Sequence, residues 1–93
     1  MLYLICYDIP SDRRRRKAAD ILLDFGGRVQ ESTFECDLRT EARRRDLERR
    51  LERLLDPTED SLRIYRVCAA CAAAQARFGI DSTPVPLPRT LIL

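Results

Sequence analysis

Asp8 stands where an apolar run ends, and four arginines and a lysine follow almost at once: Tyr7-Asp8-Ile9-Pro10-Ser11-Asp12-Arg13-Arg14-Arg15-Arg16-Lys17. Five cations fill the first turns of what the pattern predicts to be a helix. The helix macrodipole already makes that end positive, so cations there lower stability. A chain that accepts them at a strand-to-helix junction is expected to hold an anion there. A carboxylate beside a phosphate-sized anion site points to metal-assisted phosphodiester chemistry. A magnesium-type ion takes oxygen ligands and keeps several waters, so one carboxylate is too few. If two copies met about a two-fold axis near this strand end, two Asp8 carboxylates would share one Mg2+ (or Mn2+). The ion would activate water and neutralise charge on the scissile phosphate. The plain alternative is a carboxylate that only stabilises the connection from Asp8 to Asp12.

The helical wheel divides the cations. At about 100° per residue, Arg14 and Arg15 fall on the side of Ala18, Ile21, Leu22 and Phe25 and lean toward the Asp8 end of a sheet. They are the candidates for facing phosphate. Arg13, Arg16 and Lys17 fall on the opposite side with Asp20 and Asp24, where solvated charge, including an Arg16–Asp20 pair, is the simpler reading. A second column, Arg45, Arg49 and Arg53, is interleaved with Asp46, Glu48 and Glu52 and reads as a solvated face, with a contact to a nucleic-acid backbone as the alternative.

Other chemistries are restricted. The chain has no histidine, so His-based triads are excluded and a zinc site would need cysteines or carboxylates. There is no Gly-rich phosphate loop. Cys68-Ala-Ala-Cys71 has metal-ligand spacing, but only Cys6 and Cys36 could complete it. A single CxxC is a weak signal, and free thiols in a reducing compartment are the expectation.

The elements that must position these residues are legible. Ninety-three residues make one small domain with a modest core. Residues 2–7 are apolar on both faces, as in a central strand. Pro10 ends them, and Ser11 or Asp12 can cap the next helix. Gly26-Gly27 stops that helix. Phe34, Cys36 and Leu38 alternate with Glu35, Asp37 and Arg39 in a half-buried strand. The stretch 28–31 is less regular and reads either as a separate short strand or as the start of one bent strand. Residues 41–55 form a second helix with Leu47, Leu51, Leu54 and Leu55 as its core stripe. Ser61 to Val67 is a further strand. An Ala-rich helix at about 69–77 and a short strand at 78–80 complete the pattern. The order β-α-β(β)-α-β predicts an α+β, ferredoxin-like sandwich with two helices on an antiparallel sheet. Residues 1–80 form the domain. Residues 81–93 are a proline-rich tail whose alternate prolines forbid a helix and whose apolar end is expected to pack on a partner subunit.

Net charge is only +2, yet 16 of the 17 basic residues are Arg. Guanidinium grips phosphate through a planar fork that ammonium lacks. No apolar run reaches the length of a membrane span or signal core, so a cytoplasmic protein is expected.

The opening Leu4-Ile5-Cys6-Tyr7-Asp8-Ile9, the basic helix start, Arg28-Val29-Gln30-Glu31-Ser32-Thr33-Phe34-Glu35-Cys36 and Asp60-Ser61-Leu62-Arg63-Ile64-Tyr65 together resemble the CRISPR-associated Cas-two family over about residues 1–78. The resemblance implies a ferredoxin-like homodimer in which each C-terminal strand joins the partner's sheet. It implies work beside the Cas-one integrase during spacer acquisition, nucleic-acid binding, and metal-dependent nuclease activity on RNA or duplex DNA. It places the family's aspartate on Asp8 and its neighbouring tyrosine on Tyr7, both as catalytic residues with Asp8 also the metal ligand. It places the basic positions on Arg15, Lys17 and Arg28, and the strand aromatic on Phe34. Three rival readings keep the fold: a non-catalytic scaffold for the integrase, a toxin-like ribonuclease, and a regulatory domain that binds a small molecule.

Overall fold

The structure is a computed structural model, and it describes residues 1–76 and residue 78. Seven elements follow in order: β1 (Leu2–Asp8), α1 (Asp12–Leu23), β2 (Gly26–Gln30), β3 (Thr33–Asp37), α2 (Glu41–Leu54), β4 (Ser61–Val67) and α3 (Ala69–Ala73). The strands form one antiparallel sheet in the order β2-β3-β1-β4. This is the α+β ferredoxin-like arrangement that the sequence predicts, with β1 at the centre. The tail at 81–93 and the short strand expected at 78–80 lie outside the described residues, Phe78 apart. Among the described residues no helix is long and apolar enough to cross a membrane.

Side chains alternate across β1. Tyr3, Ile5 and Tyr7, with Ile9 just beyond the strand, enter one buried cluster together with Ala18, Leu22 and Phe25 from the α1 side and Leu47 and Leu51 of α2. Phe34 and Cys36 of β3 and Leu38 just after it join the same cluster. Both long helices therefore cover one face of the sheet. Leu4, Cys6 and Asp8 alternate with the core residues and face the other way. Among the described residues only α3 reaches that second face, where Ala72 packs against Leu2 and Val67. The rest of it carries half-buried Leu4, Cys6 and Thr33 and exposed Tyr65.

Local signals explain the helix starts. Ser11 caps α1 by accepting from the Arg14 amide at 3.2 Å, and Thr40 caps α2 by accepting from the Arg43 amide at 3.1 Å. The glycine pair is a correction. It does not stop α1, which ends at Leu23; it opens β2, so residues 28–30 belong to a separate strand. The reason is close approach, since a Cβ on Gly26 would lie 2.1 Å from the Glu35 carbonyl oxygen and 2.6 Å from the Cys36 Cα. The Ala-rich helix is also shorter than expected, ending at Ala73.

Candidate nucleic-acid interface and carboxylate site

Asp8 ends β1, paired in register with Ser61 of β4. It is exposed. Because Tyr7 and Ile9 both point into the core, the Asp8 carboxylate projects from the sheet face that the two long helices leave open. Tyr7 points to the helix side. Its ring stacks on Phe34 with centroids 6.2 Å apart, and its hydroxyl donates to the Glu31 carbonyl at 3.4 Å. The two residues expected to act together are thus on opposite faces of one strand. This follows from the period-2 alternation of β structure.

The cations do not share one role. Arg14 departs from the expectation that it faces phosphate. Its guanidinium donates to Asp60 at 2.8 and 3.3 Å and to Glu59 at 2.7 Å, tying the start of α1 to the turn before β4. The Asp60 side chain is fully covered. Hydrogen bonding by Arg14 holds that carboxyl below the ordinary carboxylate range. Asp60 also accepts from the Asp56 amide at 2.9 Å. Arg15 donates to the Ile9 carbonyl at 3.1 Å and pairs with Asp12. So the chain's own carboxylates neutralise part of the positive charge at the start of α1, which the sequence reading assigned to a bound anion. Arg16 turns to the Asp12 carbonyl at 3.4 Å, and the expected pair with Asp20 is absent. Arg13 and Lys17 are exposed and have no ion-pair partner among the described residues.

A cleft of about 320 Å³ opens on the helix side between α1 and the β2–β3 turn. Tyr7 lines it together with Arg15, Arg16, Asp20, Arg28 and Glu31. The register shifts between Arg28 and Gln30, a bulge that sets Arg28 opposite Phe34. The Arg28 guanidinium lies 5.2 Å from the Phe34 ring centroid. Phe34 itself is fully buried. This corrects its assignment as a nucleic-acid contact: a ring beneath Arg28 and beside Tyr7 cannot stack on a base. Its alternation with Cys36 and Leu38 already pointed to the core.

Three guanidiniums and two carboxylates line the cleft, and with Arg15 already paired with Asp12 it is Arg16 and Arg28 that have no ion-pair partner among the described residues and offer planar donors suited to a phosphate. Arg15 and Arg28 are brought together there, Lys17 is not, and Arg16, assigned to solvent from the wheel, is added. A larger groove of about 680 Å³ runs between α2 and β4 over Leu51, Leu55, Leu62 and Ile64. Its charged rim is already engaged, Arg44 with Glu48 at 2.8 Å and Asp60 with Arg14, so it offers no converging free donors. Among the described residues no three of His, Cys, Asp and Glu cluster closely enough to hold a metal ion. On the open face Asp8 stands at the end of β1, while Glu35 and Asp37 of β3 lie opposite Leu4 and Leu2 and Asp37 is paired with the N-terminal ammonium.

The sequence profile described as CRISPR associated protein Cas2 matches residues 1–74. The chain belongs to that family. It is 54% identical over 72 residues to a protein of Chloroflexus aurantiacus named CRISPR-associated endoribonuclease Cas2 1, covering 76% of each. It is 54% identical over 66 residues to a Thermus thermophilus protein named CRISPR-associated endonuclease Cas2 2, covering 71% of this chain and 72% of the relative. Among solved structures it resembles a chain in a structure titled as a partial Cas6-RT-Cas1–Cas2 complex, with TM-score 0.70 and 29% identity over 80% of this chain and 86% of that one. The match spans β1 to α3, so it includes Asp8, the arginine-rich start of α1 and the cleft.

Proposed function

We propose that this chain serves CRISPR adaptation as a homodimer that binds nucleic acid beside the Cas1 integrase and hydrolyses phosphodiesters at paired Asp8 residues. The observation that carries the proposal is the placement of Asp8. It is an exposed carboxylate at the end of the central strand, on the sheet face that the two long helices leave uncovered. A second copy laid on that face would bring two such carboxylates toward each other. Their hard oxygen donors suit Mg2+ or Mn2+, and two copies supply what one lacks. When bound, the ion would lower the pKa of a coordinated water and offset charge on the phosphate. Each Asp8 would hold one side of that site. Arg15, Arg16 and Arg28 would hold and orient the phosphate backbone, and Tyr7 would form part of the cleft wall rather than touch the reacting atoms. The relatives' names, one an endoribonuclease and one an endonuclease, support phosphodiester cleavage. RNA and duplex DNA are both substrates to be tried.

A second reading is favoured by one specific feature. The arginine-lined cleft lies on the helix side and Asp8 on the other, so phosphate held in the cleft is not presented to the same chain's carboxylate. A non-catalytic scaffold that holds DNA for the integrase fits this separation. Asp8→Asn separates the readings when metal-dependent cleavage and duplex binding are measured together. Loss of cleavage with retained binding supports hydrolysis at Asp8. Cleavage equal to wild type sinks the catalytic reading.

A further inference from the structure

Four cysteines occupy two kinds of environment. Cys36 is fully buried, and desolvation pushes its thiol up to about 12. Cys6 is half-buried between strands, its sulfur 3.9 Å from the Thr33 hydroxyl. Cys68 and Cys71 are both exposed at the junction between β4 and α3. Their arrangement is specific. Cys68 immediately precedes the first residue of α3, and its sulfur accepts from the Cys71 amide at 3.4 Å. The Cys71 amide thus serves the Cys68 sulfur, while Cys71 loses its own proton less readily. The hydrogen bond from the Cys71 amide lowers the Cys68 pKa, and the neighbouring Cys68 sulfur raises that of Cys71. That is the division of labour of an attacking and a resolving thiol.

We propose that Cys68 and Cys71 form a thiol–disulfide exchange site, which closes to an intramolecular disulfide on meeting a small-molecule disulfide of the glutathione type. The steps balance. The Cys68 thiolate attacks one sulfur of the small disulfide, forming a mixed disulfide and expelling one thiolate. Cys71 gives its proton to solvent and attacks the Cys68 sulfur, which expels the second thiolate. Both leaving thiolates take up protons. The cysteines lose two electrons and two protons, and the oxidant is reduced to two thiols. The i, i+3 spacing sets both cysteines at the first turn of α3, where the Cys71 amide bonds the Cys68 sulfur. Closure would fasten that turn of a five-residue helix, which is too short to be stable by itself. The turn stands directly before Ala72, whose packing on Leu2 and Val67 docks α3 on the sheet.

The sequence makes the test direct. Trypsin cuts after Arg66 and Arg77, so both cysteines fall on the peptide 67–77, apart from Cys6 and Cys36. The folded full-length chain is equilibrated with reduced and oxidised glutathione, quenched, alkylated and mapped by mass spectrometry. The expected result is a 67–77 peptide lighter by two hydrogens, with Cys6 and Cys36 still fully alkylated. In Cys71→Ser, Cys68 should stop at the glutathione mixed disulfide. In Cys68→Ser, Cys71 should react more slowly than Cys68 does in wild type. Equal oxidation of all four cysteines would overturn the proposal. So would a wild-type 67–77 peptide that carries glutathione without closing.

Discussion

Replacing Phe34 by Leu should weaken the fold and leave nucleic-acid affinity nearly unchanged. The ring is fully buried, stacks on Tyr7 at 6.2 Å and lies under the Arg28 guanidinium at 5.2 Å. Leucine keeps an apolar side chain in the site, and a near-isosteric core exchange costs up to about 1.5 kcal/mol. Loss of the aromatic pair adds about 0.5–1.5 kcal/mol, and loss of the cation–π contact about 0.5–1 kcal/mol. A total of about 2 kcal/mol is a reasonable central figure. For a domain of this size that lowers Tm by about 8–16 °C. A base-stacking aromatic would behave in the opposite way: its removal would weaken binding by about 1–3 kcal/mol, roughly 5- to 150-fold in Kd, and leave Tm in place. Thermal melting and fluorescence anisotropy with a labelled oligonucleotide, run well below the variant's Tm, separate the two. A lowered Tm with Kd within about twofold of wild type is expected for a core residue. A Kd weakened more than about tenfold at unchanged Tm would refute the assignment of Phe34 to the core alone.

Further outcomes follow from the same geometry. Gly26→Ala should destabilise by at least about 1–3 kcal/mol, the usual range for overpacking, because the atoms met by the new methyl are the Glu35 carbonyl oxygen and the Cys36 Cα, which cannot swing aside; urea unfolding midpoints read this. Arg28→Gln should reduce the slope of log K against log salt by about 0.9 for duplex DNA, the loss of one phosphate contact. Arg14→Gln should leave the slope unchanged and lower Tm, since its partners are Asp60 and Glu59. The Arg14 hydrogen bond holds the Asp60 carboxyl in the folded state below the ordinary aspartate value of about 3.9. Its contribution is therefore fully present above that value and is lost as pH falls through the lower folded one. Tm should drop on acidification below about pH 4, and Asp60→Asn should lower Tm at neutral pH and flatten the acid limb.

Much of the fold was legible because its signals are local. The apolar run of β1, the i, i+3, i+4 stripes of both long helices and the alternation of β3 each lie within one window of sequence. What was not legible depended on partners far along the chain. The wheel correctly turned Arg14 inward, but Asp60 lies 46 positions away, and no periodicity announces a carboxylate that meets it in space. The glycine pair was ambiguous for a similar reason. A helix stop and a close strand crossing favour the same residue, and only the packing of β2 on β3 decides. Phe34 shows the reverse case: its alternation pointed to the core while the family resemblance pointed to ligand. Asp8 and Tyr7 are neighbours in sequence, and that adjacency is what places them on opposite faces of a strand.

The proposed site stands or falls on whether two Asp8 carboxylates act as one unit. The decisive sample is a purified heterodimer with one wild-type subunit and one Asp8→Asn subunit, assayed for metal-dependent cleavage beside the wild-type and doubly substituted dimers. A shared site predicts a heterodimer as inactive as the double variant, with nucleic-acid binding intact. A heterodimer retaining half the wild-type activity would show that each Asp8 works alone and would contradict the paired site.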